Sequence, residues 1–283
     1  MPHEIDFVDN SSVLAHYAML AAIRDFALAN GWTILRYDTV PANRELIMMA
    51  PGLSGTEEIY VGIRTYQDVA NDYYNLCVAG FTGYVSGNTF DTQPGVRLSG
   101  VPAHNQRIDY WMTINGQRLA IAMKVGTPVY ESLYIGKFLP YATPSQYPYP
   151  LIVGGMLTGA AATRFSDSAH SMGYKGNKAA LGMRFTTGAY LTPFTWPWGS
   201  TTLMEANPGI NSQMRPAGTS YKLLPVVLYD ATNVFGELDG VFAITGFDNT
   251  VENTLTIGGV DYVVIQDVAR TGFIDYYALR LDP

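Results

Sequence analysis

Hydrophobic and polar positions alternate in short runs along most of the chain, and only one segment has the spacing of a helix. Residues 11–31, SSVLAHYAMLAAIRDFALANG, carry apolar side chains around most of a helical circumference. Ser11 or Ser12 is placed to cap the helix start, and Gly31 stands where a helix usually ends. The pattern predicts an N-terminal helix packed on more than one side, with His16 as a hydrogen-bonded core residue.

Four strand-like runs follow this helix, with short turns between them. They are WTILRYD at 32–38, RELIMMA at 44–50, EEIYVGIRTY at 57–66 and DYYNLCVAGFTGYV at 72–85. Turns this short favour antiparallel pairing over crossover connections. The single cysteine, Cys77, lies in the fourth run, where we expect it to be a small buried hydrophobe.

The segment 108–125, IDYWMTINGQRLAIAMKV, predicts a β-hairpin. Asn115-Gly116 is the preferred dipeptide for a two-residue type I′ turn. That turn pairs Ile114 with Gln117 and continues outward in the same register. It places six residues on a core face: Ile108, Tyr110, Met112, Leu119, Ile121 and Met123. The opposite face is mixed and includes Trp111, which indicates either a second covering layer or a contact with another molecule.

Beyond 126–139, a strand or a short helix, the chain from 140 to 220 shows no regular period. Its opening, PYATPSQYPYP at 140–150, has too many prolines for a helix or a central strand. The interval is nevertheless rich in aromatic residues, which disordered tracts lack. Either it folds onto its own domain as ordered loops or a neighbour orders it. The tyrosine-proline opening best fits a contact arm, because proline reduces the entropy lost on docking.

From 221 onward short alternating strands return, and Gly258-Gly259 is a second two-residue hairpin signal. The predicted fold class is therefore α+β, mainly antiparallel β with an N-terminal helix, long ordered loops and a C-terminal β module. We divide the chain into an N-terminal α+β domain (1–139), a loop-rich aromatic interface region (140–220) and the C-terminal β module (221–283).

Charge is scarce in this sequence. Charged residues make up 14% of the chain, against about 25% in a typical soluble domain. One interpretation is a large core with an uncharged polar surface, and the other is a surface covered by further subunits. The net charge of −7 argues against nucleic-acid binding. We find neither a run of ~20 apolar residues nor an N-terminal signal pattern, so we expect no membrane partner.

Catalytic and metal-binding patterns were tested and none was assigned. The stretch 230–240 carries four acidic or amide side chains, Asp230, Asn233, Glu237 and Asp239, but fails the EF-hand spacing. A calcium site built from loops stays open, because only oxygen count and geometry matter. Four scattered histidines have no zinc spacing, and there is no Gly-x-Ser-x-Gly elbow. A pair of carboxylates for glycoside hydrolysis stays open, because such pairs form in space. Its candidate members are Glu57, Glu58, Asp91 and Glu131. We assign no catalytic, cofactor-binding or metal-ligating residue and predict that the protein is not an enzyme.

Three strings resemble virion structural proteins of tailed bacteriophages, particularly those with contractile tails. They are YATPSQYPYPLIVGG, NVFGELDGVFAITGF and GGVDYVVIQDVARTGFIDYYALRLD. The resemblance extends over most of the chain from about residue 44 and includes no catalytic motif. It implies a non-enzymatic building block of the tail, baseplate or neck, made and assembled in the bacterial host cytoplasm. The implied partners are other virion structural proteins and further copies of the chain in a symmetric ring.

We expect loops and strand edges to lock neighbouring subunits together. The candidate interface residues are Tyr141, Tyr147, Tyr149, Trp196, Trp198 and Arg270. For Arg270, a cation within a turn is an equally good interpretation. The alternative function is a carbohydrate-binding or glycan-degrading virion component, in which exposed Trp196 and Trp198 would stack on sugar rings.

Overall fold

The structure is a computed structural model that describes residues 2–142, 150–160, 162–167, 169–175, 180–185, 188–198 and 221–281. Strands make up 48% of the chain and helix 10%, and the sheets are mostly antiparallel. This result confirms a β-rich α+β fold. Within the described residues, no helix has the length and apolar character needed to cross a lipid bilayer.

The described part of the chain contains one α-helix, α1 (Ala15–Ala29), and three single-turn 3-10 helices at Val69–Asn71, Phe90–Thr92 and Gly173–Lys175. The strands, in chain order, are β1 (His3–Val8), β2 (Thr33–Asp38), β3 (Glu45–Ala50), β4 (Ile59–Asp68), β5 (Tyr73–Phe81), β6 (Arg97–Val101), β7 (Ile108–Ile114), β8 (Arg118–Lys124), β9 (Tyr130–Lys137), β10 (Leu139–Pro140), β11 (Leu151–Gly154), β12 (Leu157–Thr158), β13 (Leu181–Arg184), β14 (Phe194–Trp196), β15 (Leu224–Tyr229), β16 (Val234–Ile244), β17 (Thr254–Ile257), β18 (Val260–Gln266) and β19 (Tyr276–Leu281).

These strands form three sheets, which we name by their position. The N-terminal sheet has the order β12-β6-β5-β4-β3-β2. The central sheet has the order β1-β7-β8-β9-β11-β13. The C-terminal sheet has the order β14-β15-β16-β19-β18-β17, with β10 also paired to β16. All pairings between named strands are antiparallel, which explains the short connections seen in the sequence.

The central sheet is covered on both faces. On one side Gly80 of β5 lies so close that a Cβ atom there would be 2.5 Å from Val153 of β11. On the other side Ser132 of β9 and Tyr277 of β19 share a hydrogen bond of 2.6 Å between their hydroxyl groups. Trp111 is buried on this second face, so a covering layer accounts for it. Aliphatic side chains from all three sheets form one continuous core.

The β7–β8 hairpin forms, but its predicted register was wrong. The two-residue loop lies one position later in the chain than predicted, so each residue of β7 pairs with a residue two positions further along. Ile114 pairs with Leu119 instead of Gln117, and the two-residue loop is Gly116-Gln117. The predicted faces survive this shift. The turn is held by Asn115, whose Oδ1 atom accepts hydrogen bonds from the backbone N–H groups of Gln117 (2.9 Å) and Arg118 (3.0 Å). Tertiary contact therefore outweighed the type I′ preference.

Close packing explains why Gly116 lies in this loop. A Cβ atom at Gly116 would be 2.3 Å from the carbonyl oxygen of Gly52. The carbonyl of Asn115 meanwhile accepts a 2.8 Å hydrogen bond from the indole of Trp32. By contrast, the Gly258-Gly259 hairpin prediction is confirmed, because Ile257 pairs with Val260. Both glycines of that turn have positive φ, +62° and +82°, as a type I′ turn requires.

Helix α1 starts later than its sequence suggests. Ser11 and Ser12 precede it without capping it, and Leu14 occupies the cap position with no side-chain hydrogen bond. A distant residue serves instead, since the backbone N–H of Ala15 donates to the Asn105 Oδ1 atom at 3.0 Å. His16 is buried as predicted, but neither of its ring nitrogens has a hydrogen-bond partner among the described residues. That part of the prediction was wrong.

The interval 140–220 contributes strands that the sequence did not predict. Strands β11 and β13 extend the central sheet, β12 joins the N-terminal sheet, and β14 forms an edge of the C-terminal sheet. Each has only two to four residues, which is too short for a period to show. Strand β1 was also missed, although Ile5 and Phe7 alternate there with polar residues. The ambiguous segment 126–139 is a strand, β9, followed by β10.

Candidate interaction surface

The outward side of the C-terminal sheet carries an exposed apolar surface. Alternation along β14 and β15 turns Thr195 and Leu228 inward, where both are fully buried. Their neighbours along each strand point outward and pair across the two strands, Phe194 with Tyr229 and Trp196 with Val227. The same alternation that fills the core therefore places one aromatic pair and one tryptophan–valine pair on the outside of the sheet.

Five side chains make up this surface, which we call the outer aromatic face: Phe194, Trp196, Val227, Tyr229 and Val234. All except Phe194 line a shallow concavity of about 220 Å³. The rings of Phe194 and Tyr229 lie 5.6 Å apart between centroids. Phe194 is 46% exposed and Val234 is 61% exposed. Apolar side chains concentrated in this way are typical of surfaces that another molecule covers.

Tyr141 extends this side of the sheet beyond β16. It follows β10, which pairs with β16 through Leu139 and Glu237. The Tyr141 hydroxyl donates a 2.9 Å hydrogen bond to the Glu237 carboxylate. Partial burial and the nearby Glu237 carboxylate together raise the pKa of Tyr141 to about 12, so its hydroxyl stays protonated at neutral pH. Glu237 in turn pairs across the strands with Val227 of the outer aromatic face.

The predicted interface residues differ in where they lie and in how exposed they are. Tyr141 and Trp196 both lie on the outward side of the C-terminal sheet. Trp198 is fully buried, and its indole donates a 2.8 Å hydrogen bond to the carbonyl of Ile274. The expectation that Trp198 is exposed was therefore wrong, because the chain itself covers this ring. Tyr147 and Tyr149 lie outside the described residues.

Arg270 binds inside the chain. Its Nη1 atom lies 3.2 Å from the Asp267 carboxylate, and its Nη2 atom donates a 2.8 Å hydrogen bond to the carbonyl of His170. Asp267 is completely buried and also accepts hydrogen bonds from the Ser171 hydroxyl (2.8 Å) and the Met172 backbone N–H (2.7 Å). Arg270 thus helps to fasten the segment 169–175 to the turn after β18, as a turn cation would.

A buried acid–imidazole pair lies beside this network. The Nε2 atom of His170 is 2.8 Å from the Oε1 atom of Glu131, and both side chains are almost completely buried. Burial raises the pKa of Glu131 to about 7, while the hydrogen bond and charge of His170 act in the opposite direction. No hydroxyl or thiol nucleophile bonds to His170 in the part of the chain that the structure describes.

The other carboxylates singled out in the sequence are each used separately. Glu57 pairs with Lys137 at 2.7 Å, Glu58 accepts from the Tyr60 hydroxyl at 2.8 Å, and Asp91 pairs with Arg64 at 2.6 Å. These different partners do not bring them together as a catalytic pair.

The acidic stretch 230–240 likewise does not converge. Asp230 caps its own turn, Glu237 bonds to Tyr141, and Asp239 accepts a hydrogen bond from Asn115 between the sheets. Over the described ranges, no three acidic, histidine or cysteine side chains are grouped as a metal site. Cys77 is buried in β5, and desolvation raises the pKa of its thiol to about 12, as expected for a small core residue.

The sequence missed Phe194, Val227, Tyr229 and Val234 as surface residues, although Val227 and Tyr229 have the period-two spacing of one strand face. Comparison with known proteins adds no assignment: no protein-family profile matches the chain, and no curated protein is significantly similar to it. The resemblance to tailed-phage structural proteins therefore stays a prediction.

Proposed function

We propose that the protein is a non-enzymatic structural subunit of a tailed bacteriophage particle, placed in the tail, baseplate or neck. The observation that carries this proposal is the outer aromatic face, which the described residues leave partly exposed. Three aromatic side chains and two valines on one sheet surface resemble the core of a protein–protein interface. The low content of charged residues and the resemblance of three sequence strings support the same proposal.

In this function the C-terminal sheet docks against a neighbouring subunit. Trp196 and Tyr229 supply wide, rigid contact area at a small cost in conformational entropy, and such residues dominate binding energy at interfaces. Tyr141 and Glu237 form a polar rim on the β16 side of the face. The buried network around Asp267 has a different function, since it fastens segments of one chain to one another.

The first test is sedimentation velocity of the purified full chain, with and without the double substitution Trp196→Ser and Tyr229→Ser. We expect the unsubstituted chain to form a discrete oligomer at micromolar concentration and the double variant to sediment as a monomer with nearly unchanged thermal stability. Val69→Ser is the matched control, because Val69 is 66% exposed and far removed in the fold, on the N-terminal sheet side. A monomer at every concentration, or an oligomer indifferent to the double substitution, would count against this face.

The particle itself needs a separate test. Antibodies raised against the purified chain are applied to lysates of the source organism, and the grids are viewed by electron microscopy. We expect gold label at one fixed position on tailed particles. Label confined to material outside particles would overturn the virion assignment while leaving the oligomer result intact.

A carbohydrate-binding or glycan-degrading virion component is the second candidate, favoured by the partly exposed ring of Trp196 beside Tyr229. Because Trp198 is buried, only Trp196 of the two tryptophans is available for stacking on a sugar. A glycan array tests this candidate. Binding that Trp196→Ala removes, in a chain that still assembles normally, would favour it over the assembly proposal.

A further inference from the structure

Strand β1 is the first strand of the central sheet, and within the described ranges no other strand pairs with its outer side. It differs from the other sheet edges. Strands β10, β12 and β14 have two or three residues, and β17 has four. Strand β13 is covered by Leu191, which exchanges hydrogen bonds of 2.8 and 2.9 Å with Met183. Strand β2 has six residues but is interrupted by a bulge between Ile34 and Arg36. Short length, cover and bulges are the usual protections of sheet edges.

Strand β1 has none of these three protections. It runs for six residues in unbroken register with β7, from the His3–Thr113 pair to the Val8–Ile108 pair. The backbone N–H of Ile114 donates to the carbonyl of Pro2, which identifies the even-numbered residues of β1 as the hydrogen-bonded ones. Ile5 and Phe7 therefore direct their backbone groups away from β7. The Phe7 N–H already donates to the Asp6 carboxylate at 2.8 Å, so an added strand has to replace this local hydrogen bond.

A concavity accompanies this edge. It has a volume of about 310 Å³, and its walls combine the apolar side chains of Ile5, Phe7 and Trp111 with charged side chains. One of these is Arg107, whose guanidinium lies 3.8 Å from the centroid of the Phe7 ring. Ile5 is 51% exposed and Phe7 is 43% exposed. An open backbone edge beside a pocket for alternate side chains is the arrangement through which sheets bind extended peptides.

The charges around the edge indicate the chemistry of the missing strand. Glu4 and Asp6 lie on the face of β1 opposite to Ile5 and Phe7, and Glu4 accepts a 2.7 Å hydrogen bond from Tyr110. Two basic side chains border the pocket, but each is already neutralised, Arg107 by Asp109 (2.7 Å) and Lys124 by Glu252 (2.6 Å). The edge is therefore acidic overall and complements a basic strand.

A second copy of the chain fits this edge poorly. Two β1 strands paired about a twofold axis at Ile5 place the Glu4 carboxylate of one copy opposite the Asp6 carboxylate of the other. Like charges directly opposite each other across two strands are unfavourable. The same two carboxylates attract lysine or arginine side chains from a different polypeptide.

We propose that β1 binds an extended segment of another protein, in which apolar residues alternate with lysine or arginine. The segment adds a seventh strand to the central sheet. Its apolar side chains enter the pocket beside Ile5 and Phe7, and its basic side chains lie over Glu4 and Asp6. This inference goes beyond the proposed function, because it concerns a different sheet from the outer aromatic face.

The test uses a fluorescein-labelled, end-capped heptapeptide of alternating lysine and valine, titrated with the purified full chain and followed by fluorescence anisotropy. We expect saturable binding of this probe and at least tenfold weaker binding of the glutamate–valine counterpart. Ile5→Pro removes an outward-pointing N–H together with the Ile5 side chain of the pocket wall and should weaken the binding of the lysine peptide at least tenfold. Asp6→Lys should weaken it by a similar factor and improve binding of the glutamate peptide.

Glu58→Lys is the matched control, because it makes the same charge change at an exposed site on the N-terminal sheet and should leave binding unchanged. Circular dichroism checks that each variant is folded. If Ile5→Pro does not fold, Asp6→Lys still tests the proposal. Absence of saturable binding, or binding of the lysine peptide to both edge variants as tightly as to the unsubstituted chain, would overturn the proposal. So would a dimer of the unsubstituted chain that Ile5→Pro abolishes, since this result would assign the edge to a second copy. None of these outcomes depends on the outer aromatic face.

Discussion

Trp111 in the central sheet and Trp196 in the C-terminal sheet occupy equivalent positions, each on the second face of an antiparallel strand. Trp111 is buried because the C-terminal sheet covers that face, whereas Trp196 stays partly exposed on the outside of the molecule. In both strands the tryptophan lies on the face opposite to the one that fills the core. The difference teaches that alternation places a tryptophan on a face but does not determine whether another layer covers it. We therefore expect a covering layer for Trp196 to come from outside the described residues.

The sharpest way to test this contrast is to remove a buried and an exposed tryptophan from the same short segment. Trp198→Ala deletes a fully buried ring with a satisfied indole N–H and should cost about 4 kcal/mol in free energy of unfolding. Trp196→Ala should cost less than about 1 kcal/mol in the isolated chain. Urea unfolding of both variants measures the difference. Equal losses would mean that the outer aromatic face is already packed within the chain.

The buried layers should also respond to pH in a way that the outer face does not. An unfolded glutamate titrates near 4.5, whereas burial raises the pKa of Glu131 in the folded protein to about 7. The unfolded chain therefore loses this proton first, and the contribution of Glu131 to stability falls as pH rises from 4.5 to 7. The total loss is about 3 kcal/mol, from about 1.4 kcal/mol per unit of pKa shift.

Glu131→Gln removes this ionisation and keeps a polar group beside His170. Its stability relative to the unsubstituted chain should therefore rise between pH 4.5 and 7, as measured by urea midpoints across that range. Glu58→Gln, at an exposed position, is the control and should show no comparable slope. A flat difference for Glu131→Gln would show that the Glu131–His170 pair is already ionised without a penalty.

A smaller effect of opposite sign is expected at His16, in the helix that packs against the sheets. Burial, assisted by the positive charge of Arg44, lowers the pKa of His16 from 6.5 to about 4. The unfolded chain binds this proton first, so stability is lost as pH falls from 6.5 toward 4. At pH 5 the loss is about 2 kcal/mol. His16→Leu should therefore tolerate pH 5 better than the unsubstituted chain, relative to their stabilities at pH 8, in thermal unfolding experiments.

Alternation predicted much of this fold because it reports which side chains share a face. The hairpin at 108–125 has the predicted faces, and the helix and the C-terminal strands lie near their predicted positions. The register of this hairpin was predicted wrongly because Asn115 is bonded to distant residues, Trp32 and Asp239 among them. Strands of two to four residues were not predicted because they are too short for an alternating pattern to be recognised.

The candidate surfaces were only partly visible in the sequence. Tyr141 and Trp196 were predicted, but Trp198, two residues further on, is buried by chain that lies 76 residues away. Glu131 and His170 come together across 39 residues with no spacing motif between them. Which face another layer covers depends on the packing of whole sheets, and no local pattern contains that information.

Hydroxyl-radical footprinting tests the central claim most directly, because aromatic side chains react in proportion to their exposure. The free chain and its assembled form are compared, with Leu53, which is 65% exposed, as an internal reference. We predict that Phe194, Trp196 and Tyr229 lose most of their reactivity on assembly while Leu53 keeps its own. Unchanged reactivity of the three aromatic residues in the assembled form would contradict the assignment of the outer aromatic face as an interface.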